Sequence, residues 1–425
     1  VQTQRVIIAT ALLAALVSAG ILHTTDVRSS PWPFCLTALV WGIVAITPLS
    51  FGRWATKTTP LILTALLIRL PLLLTPIALS DDLFRYLWEG HALTLDINPY
   101  ATSPSQALQA LPNDVILAQV NHPEVVTAYP PVALRLFQAL GLIAYHPLTI
   151  RVAAVLADVG TAVGISAILK ARKRTIAPAW VYALHPLSAL ESAGNAHIEA
   201  FAVFVLVMAF WFWERRKIEH ASALILIGAG LKLAPLVAMP AMWRQGRRES
   251  IRGALWGALA VGLIGGTLWQ QIPMDGAGLG VWAKHWSFNA PLFPLVASLW
   301  NDPIHARLCI AVIIVMTWCV AVLRWRDPVR IAFYTAAIAF LLSPTAHPWY
   351  LLWAWVPALI VGATPWSILA TTAPLGYLVF LGFDPSTGQW QEPSWLVWLV
   401  FFPFAIALGR TWLAHTIRPG PWPPN

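Results

Sequence analysis

Apolar positions in this chain run continuously instead of alternating. Val6–Leu22 and Ile310–Val322 carry no charge, and Leu61–Leu79 carries only Arg69. Crossing the hydrocarbon core takes about 20 apolar residues as a helix. The pattern predicts about 14 membrane segments, near 5–22, 33–51, 59–79, 150–170, 176–192, 197–213, 219–231, 233–243, 252–271, 304–324, 329–344, 348–362, 365–382 and 395–413. A membrane β-barrel needs ten-residue stretches that alternate apolar and polar positions, and these runs do not. The expected fold is all-α: a polytopic transmembrane helical protein with juxtamembrane helices on its outer face. Val6–Leu22 reads as a first spanning helix, since no small-residue cleavage site follows it before Pro31.

Composition agrees. Apolar residues make up 58% of the chain and charged residues 11%, where a soluble domain carries about 25% charged residues. The charges then set an orientation. One group of loops holds Arg53, Lys57, Lys170, Arg172–Arg174, Arg215–Lys217, Arg244, Arg247, Arg248, Arg252, Arg324, Arg326, Arg330, Arg410 and Arg418. The other holds Asp26, Asp81, Asp82, Glu89, Asp96, Asp114, Glu124, Asp275, Asp302, Asp384 and Glu392. The positive-inside rule puts the first group, and both termini, in the cytoplasm. Two segments must then be read against their apolarity. Tyr129–Tyr145 becomes a helix on the outer surface, because a crossing there would send Lys170 outside. Glu219–Trp243 becomes a hairpin broken between Lys232 and Pro235, so that Arg244 stays inside; non-helical backbone at membrane depth is tolerated where protein buries it.

The chain reads as a single integral membrane domain, 1–425, with two large outer loops, 80–147 and 272–303. Long loops of this kind are commonly functional. The formal charge of +9 points to membrane lipids as partners and not to nucleic acid, because the basic residues are scattered over short loops. Cys35, Cys309 and Cys319 lie in apolar segments and form neither a disulfide framework nor a zinc spacing.

The first outer loop carries the candidate chemistry. Asp81 and Asp82 stand together where an apolar run ends. Charges so close to hydrocarbon are expensive to place there and mark function at the membrane–water boundary. Lys232 is a lone ammonium inside an apolar stretch and needs a counter-charge.

Asp81-Asp82-Leu83-Phe84-Arg85-Tyr86-Leu87-Trp88-Glu89-Gly90, followed by Asp96-Ile97-Asn98-Pro99-Tyr100, resembles the first outer loop of the polytopic GT-C glycosyltransferases. It is most similar to the branch of polyprenyl-phosphate-mannose-dependent mannosyltransferases. Tyr129-Pro130-Pro131, Gly194-Asn195-Ala196-His197, Lys232-Leu233-Ala234-Pro235, Trp286-Ser287-Phe288-Asn289 and Ser343-Pro344-Thr345-Ala346-His347-Pro348-Trp349-Tyr350 follow in that branch's order. The resemblance spans about Arg69 to Leu352. It implies a bacterial inner-membrane hexosyltransferase of the cell envelope with its active site on the outer face. Such an enzyme moves a sugar, expected to be mannose, with inversion, from a polyprenyl-phosphate donor to a hydroxyl on a glycan, lipid or protein. No cofactor is implied. Relatives often carry an Asp beside the His where this chain has Asn195-Ala196-His197, so a divalent metal is not called for.

That reaction needs a base, a cation for the departing phosphate and an apolar groove for the lipid. Asp81 or Asp82 is the candidate base; either also reads as a cap for the following helix. Lys232, Arg85, His347 and Arg69 are the candidate phosphate ligands, with snorkelling as the plainer role of Lys232 and pairing with Asp82 as that of Arg85. Tyr86, Glu89, Asn98, Tyr129, Asn195, His197, Glu199, His285, Asn289 and Tyr350 are the candidate sugar and acceptor contacts. Trp88 and Trp286 are candidate stacking platforms, and Asn98-Pro99 reads as a turn in a rigid loop floor. The rival reading, a flippase or transporter of a lipid-linked sugar, needs the same groove and cation. Alternating access usually brings internal repeats, and no repeat is visible.

Overall fold

The computed structural model describes residues 2–50, 57–274, 277–300, 302–384 and 389–417. Arg53, Asp275 and Arg418, used above to sort the loops, fall outside them. Among the described residues the regular structure is helical apart from one two-residue antiparallel ladder, Phe383–Asp384 with Gln389–Trp390, and an isolated bridge between Phe288 and Thr345.

Helices α1 (Gln2–Thr24), α2 (Trp32–Ile46) and α3 (Thr58–Leu73) lead into the 80–147 loop, which folds as α4 (Asp82–Ala92), α5 (Pro104–Ala110) and α6 (Pro131–Ile143). Next come α7 (Pro147–Ala171), α8 (Ala177–Leu184), α9 (Pro186–Ala189), α10 (Glu199–Glu214), α11 (Ile218–Leu231), α12 (Met239–Gln245) and α13 (Arg247–Gly265). The 272–303 loop holds α14 (Ala277–His285) and α15 (Phe293–Ala297), and α16 (Pro303–Arg324), α17 (Pro328–Leu342), α18 (Leu352–Val361), α19 (Pro365–Thr372) and α20 (Leu396–Ile417) complete the chain. Among the described residues seven helices are long and apolar enough to cross a membrane, counting the 3-10 turns that extend α2, α13 and α19. Five further apolar helices are shorter. The outer faces of α13 and α16 expose Leu255, Trp256, Leu263, Leu308, Met316 and Leu323, as lipid-facing surfaces do.

Two expected spans are interrupted, each at proline. The 59–79 segment is helical only to Leu73, with Pro71 in its last turn and Pro76 beyond. The 176–192 segment breaks at His185, which Pro186 forces into extended geometry (φ −80°, ψ 139°). Beyond α9 the chain winds as a π-helical turn, Leu190–Gly194.

The broken hairpin is present. Helix α11 stops at Leu231 and Lys232 is extended (φ −158°, ψ 137°). The chain then returns: a Cβ on Gly246 would lie 3.7 Å from Ile218, and Arg252 pairs with Glu219 at 3.0 Å. Helix α13 lies so close to α11 that a Cβ on Gly253 would overlap the carbonyl of Glu219, and one on Gly257 that of Ala223. Small residues four apart let helix backbones meet in this way.

The basic loops meet at one end of the bundle. Lys170 bonds Thr58, Arg172 bridges Glu214 and Asp327, Arg174 caps Ile360, and Arg244 reaches the carbonyl of Trp325. The 25 residues of α7 separate this end from the other by about 37 Å. There the 80–147 and 272–303 loops dock on each other. Gly278 donates its N–H to Thr127 O at 3.1 Å, and the His122 ring packs on Trp286 at 4.6 Å. Helix α6 stays at this end, since Tyr100 holds its entry at Tyr129 O and Asp114 holds Tyr145 beyond its exit. A second core under the 80–147 loop joins Leu83, Tyr86, Leu87 and Phe137 to Ile150, Ala154, Ala200 and Ala202 of α7 and α10.

Candidate active site

Asp81 and Asp82 part company at the start of α4. Asp81 points to Arg28, which pairs with it and also donates to Ala78 O. Asp82 turns the other way. Its Oδ1 accepts from Asn121 Nδ2 at 3.0 Å, and its Oδ2 lies 3.8 Å from His197 Nε2. Asp81, the residue at the cap position, makes no capping bond to the helix N–H groups. The segment that delivers the pair is fixed by Arg151, buried on α7. Its guanidinium donates to the carbonyls of Leu73, Thr75, Pro76 and Gly194, which ties the end of α3 to the π-helical turn.

That turn builds the second wall. Glu191 is buried on it and accepts from Tyr377 Oη (2.9 Å) at one oxygen, and at the other from Asn195 Nδ2 (2.9 Å); His197 Nδ1 lies 2.8 Å from that same oxygen. Ala196, with φ 54°, sits in the left-handed region that non-glycine residues rarely adopt, and such strain clusters at functional sites. His197 is fully buried, and its Nε2 also lies 3.1 Å from Ser80 Oγ. Its ring stacks on Trp349 at 3.9 Å, Trp349 on His347 at 4.3 Å, and His347 on Phe288 at 4.4 Å. Burial among these rings holds the His347 imidazole well below its usual pKa, so it is neutral near pH 7.

Lys232 forms the third wall, where α11 breaks. It pairs with Glu199, buried on α10, and its Nζ lies 4.6 Å from the centre of the Tyr350 ring, a cation–π contact. The second oxygen of Glu199 is buried without a partner. Below Tyr350 opens an apolar cavity of about 260 Å³. It runs down α17 from Thr345 and Ser343 past Ala339 and Ala336 to Ala332, with Ala234, Val237, Leu206 and Ile314 opposite.

The sequence profile of the MptA_B family, described as the N-terminal domain of alpha-(1->6)-mannopyranosyltransferases, matches residues 8–245, more than half of the chain. The chain belongs to the MptA_B family. It is a GT-C-like, polytopic membrane mannosyltransferase. No curated protein and no solved structure gives a significant match.

The matched part of this MptA_B protein contains Asp82, Glu191, His197, Glu199 and Lys232; Asn289, His347, Tyr350 and Tyr377 come from the remainder. Contacts link Asp82, His197, Lys232, Glu199, Tyr350 and His347: Asp82 lies by His197, Trp349 touches His197, His347 and Tyr350, and Lys232 lies over Tyr350 and pairs with Glu199, with Asn195 behind His197. Tyr86 and Tyr129 pack edge to face at 5.3 Å on the Asp82 side. Burial raises the Tyr129 phenol far above its usual pKa, and the nearby Asp82 charge adds to the shift.

Other expected residues serve elsewhere. Arg69 is fully buried and four of its five N–H groups are bonded: Nε to Asp158, Nη1 to the carbonyls of Ala65 and Ala183, and Nη2 to Ser188 Oγ. Its place as a phosphate ligand is taken away by those bonds. Arg85 does not pair with Asp82. It bonds Glu89 and the carbonyls of Asn121, His122 and Val125, so it touches the site only by holding Asn121 against Asp82. Glu89 is buried between Arg85 and Thr127, and burial raises its carboxyl pKa against both partners. Asn98 closes a turn onto Tyr100 N at 2.9 Å. Trp88 is 2% exposed and offers no face to a sugar. His285 is exposed at the end of α14. Asn289 is buried, its N–H on Glu392 and its side-chain oxygen without a partner; it flanks Phe288 at the end of the ring stack.

Sequence reasoning missed Arg28, Asn121, Arg151, Trp349, Tyr377 and Glu191. Glu191 left a signal as the lone carboxylate within the apolar 176–192 segment, and Arg151 as a cation within 150–170, since an ionisable residue there marks function by default; Trp349 stands in a motif quoted above.

Proposed function

We propose that this MptA_B protein transfers mannose from a polyprenyl-phosphate donor to a hydroxyl of a mannoside acceptor at the outer face of the membrane, inverting the anomeric centre, with Asp82 as general base. The observation that carries the reading is the apolar cavity lined in part by Tyr350, with Lys232 over that ring and Asp82 linked to it through His197 and Trp349. An isoprenoid tail enters the cavity, its phosphate meets Lys232, and its sugar faces Asp82. Asp81 is not the base in this scheme, because Arg28 occupies it.

Asp82 takes the acceptor proton as the acceptor oxygen bonds to the anomeric carbon. The bond from that carbon to the phosphate oxygen breaks, and its electron pair leaves with the phosphate. Attack from the opposite face turns a β-linked donor into an α-linked product, in keeping with the family's α-(1→6) description, with the 6-hydroxyl as nucleophile. Lys232, paired with Glu199 in the structure, also donates to the leaving phosphate in this scheme, which includes no resident metal. The outer-face assignment rests on the basic loops, which gather about 37 Å away at the other end of α7.

The test uses the purified full chain in lipid nanodiscs, β-mannosyl phosphoryl farnesol as donor and octyl α-mannoside as acceptor. The expected product is an α-(1→6) dimannoside, formed at the same rate in EDTA. Consumption of no donor, or translocation of the lipid without transfer, would remove the reading.

A further inference from the structure

We infer that Glu191 and His197 form a proton-holding pair behind Asp82, so that the proton taken from the acceptor passes from Asp82 to His197 Nε2. The inference rests on the transferase reading above and extends it to two residues that act through Asp82.

The geometry carries it. Three neighbours converge on the Glu191 carboxylate, and one of them, His197 Nδ1, lies 2.8 Å from Oε2. A ring nitrogen beside a buried carboxylate carries a proton, and this fixes the tautomer. The other nitrogen, Nε2, is then the unprotonated acceptor. It faces Ser80 Oγ at 3.1 Å and Asp82 Oδ2 at 3.8 Å. The π-helical turn and the left-handed Ala196 hold both residues in this attitude, and the Trp349 stack prevents the ring from turning.

The charges balance. The donor phosphodiester carries one negative charge and leaves as a phosphate monoester with two. The acceptor proton, now on His197, supplies the matching positive charge in the same step. Glu191 stabilises that imidazolium from behind. The other charged or titratable groups around the ring are Asp82 on α4, Lys232 and Glu199 at the third wall, Tyr377 behind Glu191, and His347 beyond Trp349. On product release the proton returns through Asp82, whose side chain is 25% exposed, to water.

The experiment compares pH–kcat profiles of wild type, Glu191→Gln, His197→Gln, their double variant and Glu191→Asp in the same nanodisc assay. With the pair at work, each Gln variant loses about 10- to 100-fold in kcat, while the donor KM stays within about threefold. The double variant is no worse than His197→Gln, because the two act as one unit. The acidic limb of the profile moves to lower pH in Glu191→Gln, because the charge that favours an imidazolium is gone. Glu191→Asp keeps that charge and keeps the wild-type limb. The inference is overturned if either Gln variant retains kcat and profile, if the losses multiply in the double variant, or if Glu191→Asp shifts the limb as far as Glu191→Gln. These outcomes are read with wild type active and Asp82→Asn inactive. An inactive wild type, or an active Asp82→Asn, sinks the transferase scheme itself and the proton-holding pair with it.

Discussion

Asp81 and Asp82 are chemically alike and adjacent, yet their surroundings differ. Arg28 neutralises Asp81 at the rim, and Asn121 aims Asp82 inward. Replacing each by Asn should separate them. Asp82→Asn is expected to lose about 10²- to 10⁴-fold in kcat, the contribution typical of a general base. Asp81→Asn removes a partly exposed ion pair, typically worth about 0–1 kcal/mol, and should leave kcat within about fivefold. Mannose transfer by the purified proteins reads both, and equal losses would show that the pair acts together. The pair was visible in the sequence because it ends an apolar run. Its division of labour was not, since Arg28 lies 53 residues before Asp81 and Asn121 lies 39 after Asp82. Arg69 shows the same limit from the other side. A lone cation in an apolar helix signals a counter-charge, and the counter-charge turned out to be Asp158 on α7 and not a ligand.

Helix α4 carries Asp82 and is positioned by contact with α6. Gly90 makes that contact: a Cβ there would stand 2.4 Å from the carbonyl carbon of Phe137. Gly90→Ala must therefore push the helices apart. The expected destabilisation is about 1–3 kcal/mol, as for overpacking elsewhere, seen as a lower melting temperature in detergent. The displaced Asp82 should lower kcat as well, while a variant that melts and turns over like wild type would show that α4 does not depend on the close approach. Helix starts and stops were largely legible, because proline, charge and apolar runs are local signals. The π-helical turn at Leu190–Gly194 was not. It depends on buried Glu191 meeting Tyr377 from 186 residues away, and no local pattern reports that.

Across the whole bundle, α3 and α7 are joined by the buried pair of Arg69 and Asp158, with Tyr182 Oη on the second carboxylate oxygen at 2.6 Å. Arg69→Met leaves Asp158 without its cation, and breaking such a pair costs about 3–5 kcal/mol. Adding Asp158→Leu should restore much of the loss. The folded fraction should keep the wild-type donor KM; a raised KM would return Arg69 to the phosphate site. The orientation has its own check. A membrane-impermeant maleimide applied to intact cells should label Thr94→Cys, exposed in the 80–147 loop, and not Lys173→Cys, exposed at the basic end. The reverse pattern would turn the site toward the cytoplasm. The sequence alone determined the helical membrane class, the sorting of basic from acidic loops and the neighbourhood of the acidic pair, because hydropathy and charge are written residue by residue. Only the tertiary structure decided which carboxylate pairs with Arg28 and which lies beside His197, which cations pair with buried carboxylates, and that an apolar cavity reaches the Tyr350 ring beneath Lys232. Burial and pairing are set by side chains that the chain brings together from far apart.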